Sequence, residues 1–408
     1  MSVDTAEDLV TEYLRLGLSF DRIEAGFVDA YTGDPTLRVE VDNAPAPDPA
    51  ELARRARDLA GALPAGLPAD RAEFVGAHLR ALECSARKFA GEDIGFVDEV
   101  QAYFDVDIAP ADEGAYAQAH TRIAEALGVP GATGEQLSEA YAAHRRSEEI
   151  PPALVRPLVD ELSGALRERV RGTFGLPAAE TIEFEIVADK PWSGFNYYLG
   201  DYRSTVAINT DLPQYLSGLP SLVAHEAYPG HHTEHCRKEQ LLVADGAQRE
   251  QTIFLVNTPQ CLMAEGLADH ALVAAQGPDW QGWAAEIYAD FGLRFDAERS
   301  RALSAATADL LTVRQDAALA LHDRHVDPDD VARFLQKWLL VPADRARQML
   351  RFLTSPLWRA YISTYVEGYR LLDGWLDDVA PGQTRLDRFG RLLDEPLTPA
   401  LLRAELGA

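Results

Sequence analysis

The stretch SLVAHEAYPGHHTEHC, residues 221–236, holds four of the chain's ten histidines. It opens as H-E-x-x-H does, the pattern in which two His one helical turn apart hold a metal and the Glu between them activates water. The place of the second His is taken by Pro229. In a straight helix of about 1.5 Å rise and 100° turn per residue, His225 and His231 would stand roughly 9 Å apart on different faces, and His232 about 10.5 Å along the axis. Two imidazole nitrogens on one zinc, each about 2.0–2.1 Å from it, lie only about 3–4 Å apart. A metal site in the first register therefore requires a broken helix. Pro229 removes a ladder bond and displaces the carbonyl of residue 225, and Gly230 tolerates a sharp re-entry, so a break there can fold His231 back toward His225. The same letters also fit H-x-x-E-H, with His231 and His235 one turn apart around Glu234 and no break needed. A His-rich polar face that binds nothing is the third reading.

Around this stretch most of the 408 residues read as long helices, with apolar residues at three- and four-residue spacing and Pro or Gly at the joints. The runs 71–90, 151–174 and 291–323 are examples. TIEFEIV (181–187) and RSTVAINT (203–210) instead alternate and are β-branched. Between them lies a turn-rich aromatic stretch, 188–202. A small antiparallel sheet is expected there, directly before the His-rich helix, with an edge strand on which an extended peptide could lie. The length suggests two domains or one two-lobed body. The Pro-rich joints near 44, 63 and 128 are too short for flexible linkers, so one domain is expected, with residues 1–150 as a helical N-terminal part and 151–408 carrying the site.

With 65 acidic and 38 basic residues the net charge is −27, which opposes nucleic acid and anionic membranes as partners. The opening residues are acidic where a signal peptide is basic, and no apolar run approaches the roughly 20 residues of a membrane span, so a cytoplasmic chain is expected. Three cysteines, Cys84, Cys236 and Cys261, are too few for a disulfide framework.

HEAYPGHH, preceded by PSLVA and followed by EGLADHA from residue 265, resembles the bacterial family known as domain of unknown function 885. The segments 313–335 and 355–372, the latter with Tyr365 and Gly368, are similar to further stretches of it, and the likeness covers about residues 180–375. The family's fold resembles the thermostable carboxypeptidases, gluzincins with a deep central cleft, so the resemblance implies a mostly α, two-lobed, zincin-like fold. It implies His225, His231 and Glu265 as ligands of one zinc or other divalent transition metal, with His232 as the alternative second ligand or a substrate contact. It further implies Glu226 as general base, and makes Tyr365 a candidate oxyanion donor and Arg314 a candidate partner for a substrate carboxylate. Arg314 could equally pair with Asp316. Tyr361 and Tyr369 read as packing, and His322 and His325 as helix-end residues.

The expected function is a zinc-dependent exopeptidase, carboxypeptidase-like, acting on small peptides. The alternatives are a non-catalytic metal- or peptide-binding relative and a hydrolase of another amide bond.

Overall fold

The computed structural model describes residues 5–407 except Asp189, Pro191 and Leu212. Its architecture is mostly α, with two small sheets. The expected helices at 71–90 and 151–174 are present as Ala69–Phe89 and Pro152–Thr173. The run 291–323 is not one helix. Gly292 turns the chain at φ 72°, Asp296 caps Ala297–Thr307 by accepting from the Arg299 amide, and a 3₁₀ turn at Ala308–Leu310 precedes Val313–His322.

Five strands are described: β1 (Val28–Tyr31), β2 (Thr181–Val187), β3 (Gly194–Gly200), β4 (Arg203–Asn209) and β5 (Ile253–Leu255). The sheet before the His-rich segment has the order β2-β4-β3. It is mixed rather than antiparallel: β2 and β4 run parallel, and β3 pairs antiparallel with β4. About half of the stretch read as turns, Gly194–Gly200, is therefore a strand, while its Asp189 and Pro191 lie outside the described residues. β3 is amphipathic, burying Asn196, Tyr198 and Gly200 while leaving Tyr197 and Leu199 exposed at the edge of this sheet. The second sheet, β1 with β5, joins segments more than 200 residues apart and carries a register shift between Val28 and Ala30. Asp29 is the extra residue of that bulge, the kind of irregularity that re-aims a side chain.

Two buried apolar clusters support these elements. The smaller joins residues between Leu9 and Ala86 to Ile253, Leu255, Val256 and Leu357, and the larger takes in most of the remaining helices. Among the described residues no helix is long and apolar enough to cross a membrane.

Candidate metal centre

The His-rich segment is two helices, Leu219–Glu226 and His231–Lys238, with the break over residues 227–230. The Tyr228–Pro229 peptide is cis. A Cβ at Gly230 would stand 1.9 Å from the His225 carbonyl oxygen, so only glycine permits this approach. The second helix is tied back to the first: the Gly230 amide donates to the Ala224 carbonyl at 2.9 Å, and the Thr233 amide and hydroxyl both donate to the Ala227 carbonyl, at 3.2 and 3.0 Å.

The consequence is the juxtaposition that a straight helix forbids. His225 Nε2 and His231 Nε2 are 3.2 Å apart, with the rings perpendicular. Glu265, from the almost wholly buried helix Pro259–Gln276, places Oε2 3.3 Å from His225 Nε2 and Oε1 3.8 Å from His231 Nε2. One donor atom from each of the three lies within 4.8 Å of the others. Two ring nitrogens facing one another, beside a buried carboxylate oxygen, Glu265 Oε2, that has no hydrogen-bond partner, form a donor set that fits a divalent transition metal and suits zinc in particular. The 3.2 Å spacing falls in the range of about 3–4 Å for two imidazoles on one zinc.

Supporting groups surround this set. Asp269, one turn after Glu265, lies with Oδ1 3.2 Å from His225 Nδ1, where it orients the ring. Burial lowers the proton affinity of His225, but the neighbouring carboxylates of Asp269 and Glu265 outweigh it and leave its pKa well above the usual value. Tyr361 donates from its hydroxyl to Glu265 Oε1 at 2.6 Å, a direct tie where packing alone was expected. Tyr365 comes within electrostatic reach because Gly266 and Gly368 let two backbones meet: a Cβ at Gly266 would stand 2.7 Å from the Gly368 carbonyl. Burial, with the charges of Glu265, Asp269 and Glu226, pushes the Tyr365 phenol far up, so it stays a protonated donor at neutral pH.

Glu226 is 6% exposed, and β3 covers it: Asn196 Nδ2 donates to its backbone carbonyl at 2.8 Å. A Cβ at Gly194 would stand 3.0 Å from its Oε1. Burial raises the Glu226 pKa, the His225 and His231 charges oppose this, and Glu265 and Asp269 add to it. Asp29 is a group the sequence reading missed. Burial and the nearby Glu265 and Glu226 raise its pKa to about 7. No local pattern marks it, because strand β1 reaches the site only through long-range pairing with β5.

The remaining candidates separate cleanly. His232 is fully buried on the opposite side, with Nδ1 2.8 Å from Ser204 Oγ and Nε2 3.2 Å from Glu180 Oε2, so it is neither the alternative ligand nor placed to touch substrate. The inverted pair is not assembled either: His235 stacks on Tyr198 and meets Phe254, while Glu234 pairs with Lys238 at 2.6 Å. Arg314 does not pair with Asp316, which instead accepts from the Tyr116 hydroxyl at 2.7 Å and from the Ala111 amide. Arg314 is exposed, and the charges of Tyr365 and Asp269 bear on it. His322 binds the Leu353 carbonyl, away from the site. Cys236 lies beside His232, and Cys261 donates to the Leu255 carbonyl.

No family model matches the chain, and no curated protein matches it. Among solved structures it is similar to a protein from Colwellia psychrerythraea named "putative lipoprotein", at 14% identity and TM-score 0.53 over 87% of this chain. The chain spans 66% of that protein, just under two thirds of its length. A "putative lipoprotein of unknown function" from Shewanella oneidensis aligns at 11% identity and TM-score 0.48, over 100% of this chain and 74% of that one. The first likeness is one of fold.

Proposed function

We propose that the chain is a metal-dependent peptidase, holding one zinc or similar divalent ion through His225, His231 and Glu265 and removing residues from the end of small peptides. The observation that carries this reading is the pair of imidazole nitrogens 3.2 Å apart beside Glu265, with the Glu226 carboxyl one residue from the first ligand. A metal bound there supplies a Lewis acid for the scissile carbonyl and lowers the pKa of water. Glu226, its pKa raised by burial, accepts the proton of the attacking water and hands it to the leaving amine. Tyr365 keeps its hydroxyl proton and donates a hydrogen bond to the developing oxyanion. Asp269 holds the ring of His225, and Tyr361 holds the Glu265 carboxylate.

Cytoplasmic action belongs to the same proposal, since the cysteines are buried and unpaired, as suits a reducing compartment. Cell fractionation checks it, and recovery in the envelope, in keeping with the name of the Colwellia structure, would overturn it. For the activity, digestion of mixed peptides read by mass spectrometry should show stepwise loss from one end. Glu226→Gln should cut turnover by about 10²–10⁴-fold while metal content stays unchanged. A variant within a factor of two of the native rate removes the base role.

A further inference from the structure

The helices His231–Lys238 and Pro259–Gln276 each supply a ligand of the metal centre, and both also wall a small cavity that includes neither ligand. β1, β3, β5 and the π-helical segment Glu239–Ala244 complete the walls around a volume of about 30 Å³. That is room for about two water-sized bodies. The charges lining it do not balance: Glu234 and Glu239 stand against the single ammonium of Lys238. His235 beside them adds no charge, since burial above all holds its pKa down to about 3. Lys238 Nζ donates to Glu234 Oε1 at 2.6 Å. The second oxygen of this side chain, Oε2, is buried and has no hydrogen-bond partner among the described residues. Glu239 accepts from neutral donors, the Tyr198 hydroxyl at 2.5 Å and the Asp201 amide at 3.0 Å, and has no ion-pair partner among the described residues. A buried carboxylate oxygen left unsatisfied, in a cavity one positive charge short, is costly unless a ligand supplies what is missing.

We infer that this cavity binds a monovalent metal cation, sodium or potassium, on Glu234 Oε2. Water alone would satisfy the oxygen but leave the charge, whereas a hard cation, which takes oxygen ligands, answers both. A divalent ion would exceed the deficit and stand against the Lys238 ammonium at short range. Glu234 lies three residues after His231, and Gln260, also in the wall, five before Glu265. The bound ion therefore braces the two helices from which the metal ligands project, at a site separate from those ligands.

The test is thermal unfolding of the full-length chain in chloride salts at one ionic strength, with sodium or potassium exchanged stepwise for tetramethylammonium, which is too bulky for the cavity. The melting temperature should rise along a saturable single-site curve with sodium, potassium or both, as for any ion that binds only the folded chain. The tighter of the two names the occupant. Glu234→Gln is nearly isosteric and can still accept from Lys238, yet it should raise the half-saturating concentration at least tenfold, and Glu239→Gln should weaken binding in the same direction. Glu298→Gln, an exposed glutamate outside the cavity, should change nothing. The response should persist in His225→Ala, whether or not the chain proves to be a peptidase. Crystals grown in rubidium or thallium(I) should show one anomalous peak in contact with the Glu234 carboxylate. Equal melting temperatures in all three salts, or a response that both cavity variants keep, overturns the inference and leaves the cavity to water. Loss of the response in His225→Ala would assign the ion to the metal centre and overturn it as well.

Discussion

His231 and His232 are neighbours in the chain and opposites in their surroundings. His232 faces inward to a closed polar network in which Glu180 accepts from Tyr228 at 2.8 Å and from Arg167 at 2.6 Å, and Ser204 meets the second ring nitrogen. Burial lowers the His232 pKa; at Glu180 burial raises it but the hydrogen bonds from His232, Arg167 and Tyr228 win and lower it. Every partner is provided by the protein, so the network explains itself as structure. His231 faces another ring nitrogen at 3.2 Å, beside the Glu265 carboxylate, whose Oε2 has no hydrogen-bond partner. Such an arrangement is costly unless something else satisfies it. Histidine-rich segments are thus sorted by what each ring lacks, more than by how many rings are present.

The comparison can be broken most severely at the hinge between the two faces. Gly230→Ala places a Cβ 1.9 Å from the His225 carbonyl oxygen, so the two helices must part. Metal affinity, measured by competition with a coloured chelator, should fall by about a hundredfold, some 2.7 kcal/mol. Unchanged affinity would mean that the ligands do not straddle the break.

His232→Ala should act on stability alone. It leaves a buried Glu180 oxygen short of a donor, which costs about 1–3 kcal/mol in denaturant unfolding. Metal content should stay native, and a loss of metal would place His232 with the site after all.

The smallest effect is on acid stability. His235 is buried against Tyr198 and Phe254, and burial, then His231 and Lys238, lowers its pKa to about 3. The unfolded chain takes up that proton near 6.5, so stability present above pH 6.5 is lost as pH falls from there toward 3. His235→Phe removes this titration, and its unfolding free energy should decline less steeply over that window. Identical slopes would show that His235 is not held neutral by the fold.

Much of this was legible from residue order where the signal is local. Pro229 and Gly230 announce the break, because proline and glycine act on the backbone beside them, whereas spacing left two registers open and the set of His225, His231 and Glu265 came from the family resemblance. Asp269 also carried a local signal, standing one helical turn after Glu265 and so on the same face, although only the ligand position was read. What the sequence hid is long-range. β1 and β5 are strands of four and three residues with no turn between them, and their pairing alone brings Asp29 to the site. β3 was hidden for another reason: Gly194 and Gly200 punctuate it as turns do, while their actual work is to leave room for Glu226 and to close the strand at φ 76°.

The central claim is that the protein holds one metal ion through rings that face each other across the break. Elemental analysis of the purified chain beside His225→Ala, His231→Ala and His232→Ala tests it most directly. One equivalent of zinc or a similar metal is expected in the native chain and in His232→Ala, and a loss of most of it in each of the other two. Equal metal content in the native chain and His225→Ala, or a native chain that takes up none when zinc is supplied, would contradict it.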